Sequence, residues 1–453
     1  MSTSLSTPDP TTFSRADERR ARRAALGSFT GAVIDWYDFI LYGIVAALVF
    51  NTEFFPNVSP AIGTLAAFAT FGVGFLFRPL GGVVFGHFGD RLGRKKMLVL
   101  TMILMGSATT LIGALPSFAT AGWLAPVLLV VLRAVQGFAV GGEWGGAALM
   151  AVESAPPAKR ALYSSGVQVG YSVGLVIATG FVLLMSSLTS GAQFTSWGWR
   201  IPFLASIVLV AIGLWVRSTV QDPPAVLEQV AAAEKNAAQG HKRRIPLVQA
   251  LRNHPGAFAQ IFGLRLVELL IAYIVTAFAI SYATTRLDFS RGFMLNVALL
   301  VGALGIVTIP TFAYLSDRIG RRRVYIVASV VGTVMAFPFF LALQTGSKVL
   351  VVIAAVLLFN VAHDLAVSTQ QPLFTQMFGV EFRYSGAGVG YQFASAIAGG
   401  FTPFIAAALV TVTGGSYVLV ATYLCVGCAI SAFIAWRWLA RDHTAAPAAR
   451  VSA

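Results

Sequence analysis

Apolar runs of 19 to 30 residues alternate with polar interruptions along almost the whole chain. At 1.5 Å per residue, such runs match the length an α-helix needs to cross a hydrocarbon layer about 30 Å thick. The pattern predicts twelve membrane-spanning helices: 24–50, 62–85, 97–115, 124–152, 163–186, 200–218, 257–284, 293–314, 324–343, 349–378, 385–411 and 418–439. Most interruptions are short. The exception is 219–255, which carries Asp222-Pro223-Pro224 and His241-Lys242-Arg243-Arg244 and has the length and polarity of a linker. The predicted organisation is an all-α polytopic membrane protein, with a tail over 1–23, a six-helix bundle over 24–218, the linker, a second bundle over 256–439 and a tail over 440–453.

Composition agrees with that pattern. Apolar residues make up 57% of the chain and charged residues only 11%, where a soluble domain carries roughly 25% charge. The formal net charge of +14 would suit a nucleic-acid partner in a soluble protein. Here 25 of the 32 Lys and Arg fall on one side of the predicted topology, and only Arg200, Arg286, Arg291 and Lys348 on the other. This positive-inside bias predicts an even number of crossings with both termini cytoplasmic, and reads the charge as an orientation signal rather than a nucleic-acid footprint. The Arg-rich segment before residue 25 precedes a run too long for a signal peptide and reads as a retained tail. Cys425 and Cys428 form a C-x-x-C with no second ligand pair, and two small residues within a helix explain them better than a metal or redox site. No phosphate-binding loop, haem motif or nucleophile-base pattern is present, so neither an enzyme nor a cofactor is expected. The short tails and linker leave little room for the signalling domain of a non-transporting sensor.

The two predicted bundles repeat one another. Gly86-His87-Phe88-Gly89-Asp90-Arg91-Leu92-Gly93-Arg94 follows span 2, and Tyr314-Leu315-Ser316-Asp317-Arg318-Ile319-Gly320-Arg321 follows span 8; both contain Asp-Arg-x-Gly-Arg, and both are expected to be loops. Tyr163-Ser164-Ser165-Gly166-Val167-Gln168-Val169-Gly170-Tyr171 and Tyr384-Ser385-Gly386-Ala387-Gly388-Val389-Gly390-Tyr391 likewise open spans 5 and 11. Two related six-helix bundles are the economical reading.

With these duplicated loops the chain resembles the major facilitator superfamily. Asp35-Trp36-Tyr37-Asp38-Phe39, Arg78-Pro79-Leu80-Gly81, the run from Gln136 to Gly146, and Trp197-Gly198-Trp199-Arg200-Ile201-Pro202-Phe203 resemble its metabolite:proton symporter branch. Asn360-Val361-Ala362-His363-Asp364 and Gln370-Gln371-Pro372 are similar to members of that branch that carry shikimate. The resemblance implies a place in the bacterial inner membrane, alternating access between two halves and proton-coupled import of a small organic acid by a monomer. Shikimate comes first among the acids; quinate, an aromatic acid, a dicarboxylate or a betaine are the alternatives. It also implies an ion-pair gate on the cytoplasmic face, formed by Asp90, Arg91, Arg94, Asp317, Arg318 and Arg321, with Glu153, Arg160, Glu381 and Arg383 as partners.

The charges inside the spans carry the chemistry. Asp35, Asp38, Arg78, Arg133, Glu143, Arg265, Glu268, His363 and Asp364 all interrupt apolar helices, where a charge costs about 2.5 to 3.5 kcal/mol. All but Arg78 lie on spans 1, 4, 7 and 10, which implies a central polar cavity. Arg133 is the leading partner for a substrate carboxylate, because guanidinium offers a planar fork of donors and keeps its charge. Arg265 is second, although Glu268 three residues on could satisfy it within the helix. Tyr37, Gln136, Gln168, Tyr171, Asn360, Gln371 and Tyr391, with Tyr282 and Gln392, are available to hydroxyl groups, and each could instead join two helices. Asp35 and Asp38 share a helix face and are the first candidates to carry the proton, with Glu143, Glu268, His363 and Asp364 as further candidates. Asp35 could also simply neutralise Arg133. Arg78 reads as a positioned structural charge. Gly166, Gly170 and Gly174 form a close-packing face in span 5.

Overall fold

The computed structural model describes residues 15–92, 94–153, 160–219, 254–378 and 383–439. Among them, eleven helices are long and apolar enough to cross a membrane, and a twelfth crossing is a pair bent by 45°. In chain order they are α1 (Ala25–Glu53), α2 (Pro60–Phe85), α3 (Lys96–Gly113), α4 (Leu124–Gly142), α5 (Ser164–Leu188), α6 (Arg200–Val216, after the bent lead Gly191–Gly198), α7 (Pro255–Arg286), α8 (Arg291–Ile319), α9 (Arg321–Gln344), α10 (Lys348–Phe374), α11 (Gly388–Val412) and α12 (Val418–Trp438). A helix satisfies its own backbone, which is what a hydrocarbon surrounding requires. Hydroxyl side chains follow the same rule, as where Thr276 donates to the Ala272 carbonyl at 2.6 Å.

Two details depart from the expected spans. The helix begun at Pro60 continues to Leu92, and α8 continues to Ile319, so Asp90, Arg91, Asp317 and Arg318 sit on terminal helical turns rather than in loops. Charged residues do not end a helix; in the second repeat the break falls at Gly320, whose φ of 98° favours glycine. The sixth crossing is bent at Gly198 and Trp199, where the buried Trp199 ring packs on Phe50, Phe54 and Phe203.

The crossings form two six-helix halves around α1 and α7. In these two helices 83% and 89% of the apolar window is buried, against 44–50% in α2, α3, α4, α5, α8, α9 and α12. The outer helices expose Leu, Val and Ile, and Trp123, Trp215, Trp436 and Trp438 stand exposed at helix ends. In water that surface would aggregate; in a bilayer it is the required one, with tryptophans at interfacial level.

Glycines set the closest crossings. A Cβ at Gly137 would fall 1.7 Å from the Gly74 carbonyl oxygen, and one at Gly141 would fall 1.9 Å from that of Arg78, so α2 and α4 touch backbone to backbone. In α5, Gly170 and Gly174 pack on α1, with Cβ positions 2.7 Å from Ala32 and 2.8 Å from Tyr37, whereas Gly166 faces open space. The expected packing face is therefore two glycines long. Single π-helical turns interrupt the helices at Ala46–Phe50, Ile274–Phe278, Leu357–His363 and Ser395–Gly399, three of them in the central helices α1, α7 and α10. Each shifts the side-chain register within one helix.

Candidate substrate and proton site

Four arginines are buried in the crossings among the described residues: Arg321 at the first turn of α9, and Arg78, Arg133 and Arg265 further inside, each of these three in a different environment. Arg265 on α7 is fully occupied. Its Nε and Nη2 bind the Glu268 carboxylate, and Nη1 donates to the Tyr391 carbonyl and to Ser395 Oγ. Glu268 also accepts from Gln370 Nε2, and Gln370 reaches Tyr325, whose hydroxyl donates to the Leu264 carbonyl. The i,i+3 pair foreseen from the spacing is thus formed, within a network joining α7, α9, α10 and α11.

Arg133 on α4 has spare capacity. Its guanidinium lies 4.0 Å from the centroid of Phe39, 4.1 Å from that of Tyr42 and 5.1 Å from that of Phe71. Only Nη1 is engaged, donating to Gln136 Oε1 at 2.6 Å; Nε and Nη2 have no hydrogen-bond partner among the described residues. A buried guanidinium with two open donors is suited to one carboxylate. Gly74 creates the room, since a Cβ there would lie 2.7 Å from Arg133 Nε.

Arg78 on α2 is stacked between Phe39 and Phe75 at 3.8 and 4.0 Å, so Phe39 separates two guanidinium groups. It is buried among aromatic rings, deeper than a charge near a helix end would be.

The carboxylates on α1 differ. Asp38 is fully buried and accepts from Thr109 Oγ1 at 2.7 Å, while Asp35, one turn earlier, is partly exposed. On α10, Asp364 is saturated: His363 Nδ1 at 2.8 Å, Asn360 Nδ2 at 2.9 Å and the Thr308 hydroxyl all address it. That arrangement fixes the His363 ring, which stacks on Phe359 at 4.4 Å.

Between the halves lies a cavity of about 20 Å³. Trp36, Gln168 and Tyr171 line it from the first half; Glu268, Tyr273, His363 and Tyr391 from the second. The volume suffices for about one water, less than a ring-bearing acid needs. Gln168 Nε2 ties α5 to the Val367 carbonyl of α10 at 3.2 Å, and Phe75 of α2 packs against Gly400 of α11.

Other predicted residues lie elsewhere. The Tyr37 hydroxyl donates to the Pro202 carbonyl of α6 at 2.6 Å, and Asn360 also donates to the Val301 carbonyl of α8, so both tie helices together. Tyr282 accepts from Gln344, far along α7 from Glu268. Gln371 and Gln392 are buried outside the cavity lining. Asp317 pairs with Arg321 at 3.0 Å, and Arg318 covers the Tyr314 ring. The side chains of Asp90, Arg91, Arg94, Glu143, Glu153, Arg160, Glu381 and Arg383 lie outside the described residues.

The sequence reading did not single out Trp36, Tyr273, Gln370 or Thr109. Trp36 and Tyr273 face the cavity, and the Tyr273 hydroxyl has no hydrogen-bond partner among the described residues. Trp36 and Gln370 stood within quoted motifs, Tyr273 shares span 7 with Arg265 and Glu268, and Thr109, on span 3, carried no signal.

Comparison with known proteins settles the family. The sequence model of the Major Facilitator Superfamily matches residues 27–403. The chain belongs to the major facilitator superfamily. Among characterised facilitators it is 63% identical to the shikimate transporter of Escherichia coli K12 over 435 residues, 96% of this chain and 98% of that one. It is 33% identical to the proline/betaine transporter of Salmonella typhimurium LT2, over 87% of this chain and 79% of the relative. The facilitator fold is equally plain in solved structures. The partially occluded, inward-open xylose transporter XylE of E. coli superposes with a TM-score of 0.73 at 16% identity, covering 93% of this chain and 98% of that one.

Proposed function

We propose that this facilitator is a proton-coupled symporter that imports shikimate across the bacterial inner membrane by alternating access. The halves 24–218 and 256–439, joined by 219–255, rock within a monomer whose termini are both cytoplasmic. The observation that carries the substrate is the 63% identity, over nearly the full length of both chains, to a protein named for shikimate transport. The geometry supports an acid. Arg133, which lies outside the cavity lining, has two donors without a partner that could take a carboxylate once the site enlarges, and the cavity combines aromatic faces for a carbocyclic ring with Gln168 and His363 for its hydroxyls. Arg265, already paired with Glu268, is the reserve cation. The proton is carried by the α1 carboxylates, with Glu268 and His363 as the carboxylate and imidazole that line the cavity from the second half. The Asp-Arg-x-Gly-Arg segments close the basic face.

Symport of a monoanion with one proton is electroneutral, so it draws on the pH gradient alone, at about 1.4 kcal/mol or tenfold accumulation per pH unit. A second proton would add about 2.3 kcal/mol per 100 mV of membrane potential. In proteoliposomes, an imposed inward proton gradient is expected to drive accumulation of labelled shikimate above equilibrium; no uptake under that gradient would refute the assignment.

One observation favours a second reading. Trp36, Tyr171, Tyr273 and Tyr391 surround the cavity beside Glu268, an arrangement that also suits a quaternary ammonium. Betaine competing with shikimate in the same assay would support that reading.

A further inference from the structure

Arg133 and Asp38 do not touch, yet a single file of hydrogen bonds joins them. Arg133 Nη1 donates to Gln136 Oε1 at 2.6 Å, Gln136 Nε2 donates to Thr109 Oγ1 at 2.6 Å, and Thr109 Oγ1 donates to Asp38 Oδ2 at 2.7 Å. All four side chains are fully buried. The polarity of the file is dictated by its ends. Guanidinium has only donors, so Gln136 must turn its oxygen to Arg133 and its NH₂ to Thr109. An ionised carboxylate only accepts, so Thr109 must give it the hydroxyl proton.

We infer that Thr109 is a positioning residue that relays the charge state of Arg133 to Asp38, coupling substrate binding to proton uptake. The inference rests on the reading of Arg133 as the carboxylate receptor and of Asp38 as a proton carrier. With Arg133 unoccupied, the dipoles run head to tail from cation to anion, and each bond strengthens the next in a surrounding of low dielectric. When a substrate carboxylate binds the open Nε and Nη2, the positive end of the file is neutralised and Asp38 loses the field that held it ionised. Asp38 then takes a proton from water as the cavity opens.

Thr109 has a second acceptor ready for that state. Its hydroxyl lies 2.9 Å from the Met105 carbonyl one turn back on α3. Once Asp38 is protonated, the Thr109 proton turns to Met105 and the Thr109 oxygen accepts from both Asp38 and Gln136. One hydroxyl rotation keeps Thr109, Gln136 and Asp38 Oδ2 bonded to one another in either state, so the switch itself breaks no buried hydrogen bond without replacing it. Charged or titratable groups near Asp38 include Asp35, Tyr37 and Tyr42 on α1 and, across the Phe39 ring, Arg78 on α2. None of them is part of the file.

The test compares Thr109→Val, which keeps shape and loses the hydroxyl, with Thr109→Ser, which keeps the hydroxyl. Thr109→Ala repeats the loss with a smaller side chain in case the valine variant does not fold. Two quantities are read in proteoliposomes: shikimate counterflow without a pH gradient, and accumulation under an imposed gradient. The expected result is counterflow within about twofold of the parent for all variants, at least tenfold lower accumulation for Val and Ala, and restoration by Ser. Accumulation by Val or Ala equal to the parent's would overturn the relay and leave symport standing. A parent that exchanges shikimate but shows no gradient-driven accumulation would overturn the relay together with the symport reading.

Discussion

At the scale of single residues, the cost of placing ions in hydrocarbon made the main charged positions legible. Arg133, Arg265, Glu268, Asp38, His363 and Asp364 interrupt apolar spans, and all of them are buried in the structure. Their partners were not legible. Thr109, Gln370 and Tyr273 resemble the many Thr, Gln and Tyr residues that tie helices together, and only three-dimensional placement separates them. The Arg265–Glu268 pair yields a prediction at this scale. Both groups are buried and mutually neutralised, and removing one partner strands a charge. Glu268→Gln is expected to lower unfolding stability by about 3 kcal/mol. The double variant Arg265→Gln/Glu268→Gln should recover at least half of that loss. Thermal unfolding in detergent measures both; a double variant no more stable than Glu268→Gln would mean that the pair is not what the network balances.

At the scale of elements, hydropathy located all twelve crossings, because span length is set by the bilayer and not by local preference. It missed the bend before α6, the overrun of α2 and α8 past the expected loops, and the π-helical turns, which arise from packing and leave the apolar count unchanged. Glycine patterns were only half legible. Gly170 and Gly174 pack closely and Gly166 does not, because a repeat in sequence gives the face of a helix but not where its neighbour ends. The structure therefore ranks substitutions that the sequence treats alike. Gly141→Ala would drive a methyl group into the Arg78 carbonyl and force α2 from α4, at a cost of about 1 to 3 kcal/mol. Gly166→Ala meets nothing within 4 Å and is expected to stay within about 0.5 kcal/mol of the parent. Because Arg133 is seated against Gly74 in that same crossing, Gly141→Ala should also weaken shikimate binding, whereas Gly166→Ala should leave it unchanged. Melting points with and without shikimate separate the two effects, since a ligand raises stability only in a protein that binds it.

At the scale of the whole molecule, the decisive quantity is the cavity volume. Space for about one water cannot hold a six-membered ring with a carboxylate and hydroxyls, so the site must enlarge to take the substrate, and the alternating access proposed above requires the halves to part on one face and then on the other. On the face opposite the basic one, the central helices meet where Gly43 of α1 approaches Ala277 of α7; a Cβ at Gly43 lies 3.8 Å from that of Ala277. That separation matches the Cβ spacing of a disulfide. With Cys425 and Cys428 replaced by Ala, the pair Gly43→Cys/Ala277→Cys should cross-link under a membrane-permeant oxidant with little backbone movement. The oxidised protein can no longer open that face. Transport is expected to fall by at least tenfold on oxidation and to return on reduction, while each single cysteine variant is unaffected by either reagent. Shikimate binding in detergent should persist in the cross-linked protein, because the basic face remains able to open and Arg133, on α4, is not part of the link. Undiminished transport at complete cross-linking, judged by loss of thiol labelling, would mean that α1 and α7 do not separate during the cycle, and the proposed two-faced opening would fall.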